Sequence, residues 1–114
     1  MTTDQLTIEI LPSPDSVTLR LRGEIDMLTA PHLREAALCA TTQFRTALHL
    51  DMADVAFMDS TGVAALVATR RHIDLEGGRL TVVNPSRQVS RVLEVTGLDR
   101  LFEIEHTPKA ADVA

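Results

Sequence analysis

Two segments near the amino terminus, LTIEI and VTLRLRG, alternate between apolar and polar residues. A period of two that gives one apolar and one polar face is typical of half-buried β-strands. The PSPDS segment between them contains turn-forming residues, so the pattern predicts a β-hairpin. The apolar positions that we expect to face a common core are Leu6, Ile8, Ile10, Val17, Leu19 and Leu21.

The next segment, TAPHLREAALCA, has the spacing of a helix. Pro31 comes early, where a helix tolerates proline, and Thr29 is the predicted N-cap. The apolar stripe expected on the inner face of this helix consists of Leu33, Ala36, Ala37 and Ala40.

Two further helices are predicted in the second half of the chain. The first begins at Ser60 and runs to about Glu76, and Gly77 supplies its left-handed cap. The second begins in the NPS segment, where Ser86 is the predicted N-cap, and it ends at Gly97. The inner stripe expected for this last helix consists of Val89, Val92, Leu93 and Thr96.

Three more strands complete the predicted order. Residues 47–51 are predicted to form a strand that is followed by a buried connection over residues 55–58. LTVVN and LFEIE are the last two strands, and residues 106–114 are predicted to form a flexible tail. The order ββαβαβαβ predicts parallel pairing and a single α/β domain over residues 1–114, with a mixed β-sheet and flanking helices.

Composition and charge narrow the classes of function. The chain has 114 residues, 45% of them hydrophobic, and no Trp or Tyr, so we expect an aliphatic core. The formal net charge is −5 and basic residues do not cluster, which argues against nucleic acid and membrane surfaces as partners. No apolar run is long enough to span a bilayer, and no signal peptide is recognised. A single cysteine, Cys39, fits a reducing compartment, so we expect a cytoplasmic protein.

The segment FMDSTGVAALV is unusual because an acid and two hydroxyl residues stand where a buried segment passes into a helix. At an N-cap, Ser60 can accept a hydrogen bond from a backbone N–H of the first turn. The same position suits a phosphoryl group, since free N–H groups and the helix dipole favour negative charge there. Capping and phosphorylation both stay open at this point, and the two roles are compatible.

One face of the same predicted helix is small and weakly charged. At about 100° per residue, four positions fall into one strip: Ser60, Ala64, Ala68 and Arg71. Small side chains let a neighbouring helix pack closely, and they equally suit a face on which another protein docks. Both interpretations are open from the pattern alone.

Other arrangements of reactive residues are less specific. Met27 and Met58 flank acidic positions and are either exposed interface residues or ordinary packing residues. DSTG lacks the G-x-S-x-G form of a serine hydrolase, no P-loop is present, and His and Cys show no zinc spacing. We therefore expect no metal, no cofactor and no catalytic activity. Four acidic residues could gather at the strand ends, where they form either a magnesium site or ordinary solvated turns: Asp26, Asp51, Asp54 and Asp59.

Three segments resemble the anti-sigma factor antagonists of the STAS domain family: GEIDMLTAPHLREA, MADVAFMDSTGVAALV and VTGLDRLF. The resemblance extends over nearly the whole chain, from residue 6 to residue 104. It implies that Ser60, which follows the aspartate, is phosphorylated, with Thr61 as the second choice. The family often has Gly-Leu-Gly after the hydroxyl residues, whereas this chain has Gly62, Val63 and Ala64, so one methyl group is added in the strip.

The resemblance also implies a partner switch. The unmodified protein binds an anti-sigma factor with serine kinase activity and frees the sigma factor, phosphorylation of Ser60 ends the complex, and a serine phosphatase reverses the modification. Under this resemblance, the acidic residues of GEID, Glu24 and Asp26, either shape the loop or contact the kinase. Alternatively, Gly23 makes a turn and Asp26 is a local cap. The implied partner-binding residues are Glu24, Asp26, Asp59, Ser60, Thr61, Gly62, Ala64, Ala68 and Arg71.

Two other classes of function stay open beside this one. The first is a STAS-type scaffold that is not phosphorylated, and the second is a module that binds a small molecule or a nucleotide in a signalling complex. A phosphoserine adds about −1.5 to −2 charges. A helix start accepts such a group, whereas a close interface formed by this acidic chain does not, because of desolvation and like-charge repulsion.

Overall fold

The computed structural model describes residues 5–44 and 47–108. Within these residues, five strands and three α-helices follow one another in the predicted order, and a single 3₁₀ turn, Leu98–Arg100, precedes the last strand. The predicted flexible tail lies outside the described residues from residue 109 onward. The elements are β1 (Leu6–Pro12), β2 (Ser16–Ile25), α1 (Ala30–Phe44), β3 (Ala47–Met58), α2 (Ser60–Leu75), β4 (Arg79–Val83), α3 (Arg87–Val95) and β5 (Glu103–Glu105).

The five strands form one mixed sheet in the order β1-β2-β3-β4-β5. β1 and β2 make the predicted antiparallel hairpin, and the three remaining pairings are parallel. Each parallel pair is connected through a helix, as parallel geometry requires. The single α/β architecture with a mixed sheet and flanking helices is confirmed.

Helices α1 and α2 pack on one face of the sheet and enclose an aliphatic core. α1 contacts β1, β2 and β3, α2 contacts β3 and β4, and the two helices contact each other. Every apolar position predicted for β2 and for the α1 stripe is buried, but Ile10 is exposed. The prediction for Ile10 is wrong: Leu6 and Ile8 of the same strand are buried, whereas Ile10 lies near the end of β1 that leads into the hairpin turn.

The strand β3 is longer than predicted. Residues 47–51 and 55–58 belong to one continuous strand, so the predicted connection between a strand and a helix does not exist. The pairing of β3 with β2 contains two register shifts, one between Arg20 and Arg22 and one between Gly23 and Glu24. Such bulges insert extra residues and interrupt the alternation of inward and outward side chains. Buried residues therefore recur at every third position after Met52, which hides the strand from a pattern of period two.

The helix ends are mostly as predicted. Ser86 caps α3 by accepting a hydrogen bond from the N–H of Val89, and Gly77 and Gly97 have left-handed backbone angles, with φ of 79° and 75°. Two predictions are wrong. Thr96 is exposed because it is the C-cap that follows the last turn of α3, and the hydroxyl of Thr29 donates to the Glu24 carbonyl oxygen at the end of β2 instead of capping α1.

Gly23 lies within β2 and does not make a turn. Its φ is +119°, and an added Cβ would collide with the carbonyl oxygen of Gln5. Only glycine adopts this backbone conformation readily, so Gly23 fixes the close approach of the hairpin strands at the bulge.

The chain segment after β5 is attached to the end of β4. Asn84, with φ of 48°, accepts a hydrogen bond from the N–H of Thr107 at 2.7 Å and donates one to the Thr107 hydroxyl at 3.1 Å. Among the helices of the described residues, none combines the length and the apolar composition needed to cross a membrane.

Candidate functional site

The segment around Ser60 lies at the edge of the sheet where β2 and β3 both end. Ile25 and Met58 are the last residues of the two strands and are paired in parallel register. The N–H of Asp59 donates to the carbonyl oxygen of Ile25 at 3.3 Å. The turn that follows β2 and the start of α2 therefore lie side by side.

Asp59 is the N-cap of α2. Its backbone is extended, with φ of −102° and ψ of −172°, and its carboxylate accepts a hydrogen bond from the N–H of Gly62 at 3.0 Å. Aspartate is among the residues that cap helices best, because the carboxylate satisfies a backbone donor and interacts favourably with the helix dipole. The predicted capping role of Ser60 is thus wrong, and it belongs to the residue before it.

Ser60 is the first residue of α2 and is exposed to solvent. Its hydroxyl makes no hydrogen bond to any residue in the part of the chain that the structure describes. The neighbouring Thr61 is exposed as well. The first N–H groups of a helix have no partner within the helix, so this hydroxyl stands next to donors that suit an anion.

Gly62 lies beneath the surface and not on it. A Cβ at this position would come within 2.6 Å of the Ile25 carbonyl oxygen and 2.7 Å of the Met58 Cγ. Its lack of a side chain lets the first turn of α2 approach the ends of β2 and β3. The expectation that Gly62 belongs to a partner-binding surface is therefore corrected, since its position is buried and its role is to support Ser60 from below.

The strip of small residues is on the outer face of α2. Ser60, Ala64 and Arg71 are exposed and Ala68 is half-buried. The opposite face of the helix carries the residues that contact the core, namely Ala65, Leu66, Thr69 and Ile73. Because Ser60, Ala64 and Arg71 are exposed, no element of the described residues covers these three positions.

Asp26 organises the turn after β2. One carboxylate oxygen accepts hydrogen bonds from the N–H of Leu28 at 2.9 Å and of Thr29 at 3.1 Å. The Thr29 hydroxyl donates to the carbonyl oxygen of Glu24 at 2.8 Å, which closes the turn. Asp26 thus shapes the loop locally, and the half-buried Glu24 lies at the end of the paired strands close to this turn.

The acidic residues that raised a magnesium interpretation do not converge. The carboxylates of Asp26 and Asp59 accept hydrogen bonds from backbone N–H groups. Asp51 lies on the other face of the sheet, where its Oδ2 is 3.6 Å from the Nε of Arg20. In residues 5–44 and 47–108, no three acidic, His or Cys side chains come together in a way that could hold a metal ion.

Apolar side chains near the site are partly exposed. Met58 is 2% exposed and belongs to the core, whereas Met27 is 70% exposed. Leu28 and Phe57, which the sequence interpretation did not consider as site residues, are also exposed. The signal that could have identified Leu28 is its place in a turn, where polar residues are expected.

The chain belongs to the STAS domain family, whose pattern matches residues 6–111. It is similar to the anti-sigma-B factor antagonist of Bacillus subtilis, with 30% identity over 99 residues that cover 87% of this chain and 90% of that protein. The anti-sigma-B factor antagonist of Listeria monocytogenes is 30% identical over 92 residues, which cover 81% of each chain. The recognition made from the sequence motifs is confirmed.

Solved structures give the same grouping. An anti-sigma factor antagonist from Mycobacterium paratuberculosis superposes with a TM-score of 0.80 and 31% identity, covering 97% of this chain and 92% of that one. The anti-sigma factor antagonist SpoIIAA in its unphosphorylated form has a TM-score of 0.75 and 24% identity, over 94% and 93% of the two chains. The second likeness shows a common fold. The chain thus groups with the anti-sigma factor antagonists within the STAS family.

Proposed function

We propose that this chain is an anti-sigma factor antagonist whose binding is switched by phosphorylation of Ser60. In its unphosphorylated form it binds an anti-sigma factor that has serine kinase activity and so releases the sigma factor. Transfer of a phosphoryl group to the Ser60 hydroxyl ends the complex, and a serine phosphatase restores it. The chain is a substrate of the kinase and not a catalyst.

The observation that carries the proposal is the state of the Ser60 hydroxyl. It is exposed, it has no hydrogen-bond partner among the described residues, and the cap of the helix is supplied by Asp59. A kinase can therefore reach the hydroxyl without breaking a contact of the fold. The relatives named anti-sigma-B factor antagonists support the choice of partner.

The electrostatic consequence of phosphorylation supports a switch. A phosphoserine brings about −1.5 to −2 charges to a helix start that already holds the Asp59 carboxylate. The fold tolerates the group because it stays in water and next to free N–H groups. A partner packed over Ser60 would have to remove this charge from water beside a second acid, which is costly. The STAS fold as such accommodates a phosphoryl group, since SpoIIAA has also been solved in a phosphorylated form.

The proposed docking surface consists of Ser60 with the outer strip of α2. The small side chains of Ala64 and Ala68 project little from the helix, so the backbone of a partner can approach closely. Arg71 supplies a positive charge at the end of the strip farthest from Ser60. Asp59, Thr61, Glu24 and Asp26 border the surface on the side of the turn. Gly62 takes part only by holding the helix start in place.

Phosphorylation by the anti-sigma factor tests the proposal. The purified chain is incubated with the anti-sigma factor and ATP, and intact mass together with peptide mapping is recorded. We expect one phosphate, located at Ser60. Ser60→Ala should abolish the mass shift and keep binding, while the matched variant Thr61→Ala should be modified like the wild type. Modification of Ser60→Ala to the same extent would contradict the proposed site.

A further inference from the structure

Three large apolar side chains are exposed next to the Ser60 site. Met27 is 70% exposed, Leu28 is 66% exposed and Phe57 is 41% exposed. Met27 and Leu28 stand in the turn after β2, and Phe57 is the second-last residue of β3. These three residues are termed the apolar patch below.

The backbone brings the apolar patch to the same edge of the sheet as Ser60. Ile25 pairs with Met58, and its carbonyl oxygen accepts the N–H of Asp59 at 3.3 Å. Met27 follows Ile25 by two residues, and Phe57 precedes Ser60 by three. Because β2 and β3 are parallel, the segments that leave them start from a common edge, and the patch lies on both of these segments.

The turn itself holds its polar side chains inward and its apolar side chains outward. Asp26 is engaged with the N–H groups of Leu28 and Thr29, and the Thr29 side chain is buried with its hydroxyl on the Glu24 carbonyl oxygen. This arrangement is the reverse of that expected for a surface turn. Met27 and Leu28 bury only a small part of their apolar surface in the fold, so they contribute little to its stability.

The bulge in β3 exposes Phe57. The register shift between Gly23 and Glu24 adds one residue to β3 at this point, so Ala56 and Phe57 are both exposed and the inward position falls to Met58. Bulges commonly redirect a side chain next to a functional site. Single exposed apolar residues need no explanation, but three on adjoining segments at the edge of the sheet where α2 begins are typical of a protein interaction surface.

We infer, on the basis of the proposed function, that Met27, Leu28 and Phe57 are the apolar contact through which the anti-sigma factor recognises the unphosphorylated chain. The partner surface that fits them is an apolar depression that lies against the start of α2. The Ile25–Asp59 hydrogen bond joins the segment that leads to Met27 and Leu28 to the start of α2, where the strip begins. An apolar contact is also consistent with the proposed effect of one phosphate, because a charge is far harder to desolvate against apolar surface than against polar surface.

Calorimetric titration with the anti-sigma factor tests the inference. The probe is the purified anti-sigma factor that the wild-type chain binds and that phosphorylates it. The double variant Met27→Ser/Leu28→Ser should raise the Kd at least tenfold and make the heat-capacity change of binding less negative, since apolar burial produces that signature. Phe57→Ser should raise the Kd in the same direction.

Leu75→Ser is the matched control. Leu75 is 79% exposed, and it lies at the opposite end of α2 from Ser60, about 22 Å away at 1.5 Å per residue. This variant removes an equally exposed leucine from the same domain, so its Kd should equal that of the wild type. Thermal unfolding should be alike for all of these variants because none of the substituted side chains belongs to the core.

The possible failures are distinguishable. If the double variant binds as tightly as the wild type while Ser60→Asp does not bind, the apolar patch is not the contact and the proposed function stands. If the wild-type chain binds no anti-sigma factor, both are overturned. If sedimentation shows a wild-type dimer that Met27→Ser/Leu28→Ser converts to a monomer, the occupant of the patch is a second copy of this chain and the inference is wrong.

Discussion

The carboxylate of Asp59 accepts a hydrogen bond from the N–H of Gly62 at 3.0 Å, so the residue that caps α2 is not the residue that carries the free hydroxyl. This arrangement separates two tasks at one helix start. Asp59 stabilises the helix, and Ser60 can change its chemical state without loss of the cap. Substitutions at the two positions should therefore affect different measurements.

Replacement of Asp59 tests the cap. Asp59→Ala should lower the free energy of unfolding by about 1 kcal/mol, because one backbone donor of the first turn loses its partner. Asp59→Asn should stay close to the wild type, since asparagine caps about as well as aspartate. Urea unfolding measures both, and a midpoint for Asp59→Ala equal to that of the wild type would rule out the capping role.

Replacement of Ser60 tests whether the fold tolerates charge at this position. Ser60→Asp and Ser60→Ala should both stay within about 0.5 kcal/mol of the wild-type free energy of unfolding, as for other exposed substitutions. For Ser60→Asp, repulsion by Asp59 is offset by attraction to the helix start, which contributes about 0.3–1 kcal/mol. Thermal unfolding at low and high salt checks this expectation. A selective loss of more than about 1 kcal/mol in Ser60→Asp would show that the charge disrupts the fold as well as the complex.

Gly62 provides a test of the close packing beneath the site. Alanine normally favours a helix by about 1 kcal/mol over glycine. Gly62→Ala should nevertheless destabilise the domain by about 1–3 kcal/mol, because the new methyl group would meet the Ile25 carbonyl oxygen and the Met58 side chain. Ala64→Ser, two residues later on the exposed face, is the control and should be nearly neutral. Denaturant unfolding that finds Gly62→Ala more stable than the wild type would disprove the packing role.

Several of these features could be predicted from the sequence because they depend on local patterns. The alternation in β2 up to Leu21 and the stripe of α1 survive in the structure, since these residues pack one face on the core without interruption. The caps at Ser86 and Gly77 were also predictable, as both residues act within one turn of the helix that they bound.

Other features could not be predicted because they depend on contacts distant in sequence. The bulges of β3 arise from its pairing with β2, and the cap position falls to Asp59, whose N–H donates to the carbonyl oxygen of the distant Ile25. The inward position of Gly62 likewise follows from the ends of two strands that meet below it. The exposure of Leu28 and Phe57 also could not be predicted, because it arises from a turn and a bulge that leave no trace in the pattern of apolar and polar residues.

The docking strip on α2 has its own test. Ala64→Arg should prevent binding of the anti-sigma factor, because a long charged side chain would stand in the middle of a close interface. Its effect on stability should be small, since arginine is a good helix former at an exposed position. Leu75→Arg at the far end of the same helix is the control. Equal affinities of the Ala64→Arg variant and the wild type, measured by surface plasmon resonance, would exclude the strip from the interface.

The most direct measurement compares the affinity of one purified anti-sigma factor for the chain with serine or with phosphoserine at position 60. Phosphoserine is introduced during translation, so that the two samples differ by a single phosphate. We expect the Kd to rise on the order of a hundredfold, which corresponds to about 3 kcal/mol, while thermal unfolding of the two samples stays alike. Equal Kd values for the two samples would show that phosphorylation of Ser60 does not control binding.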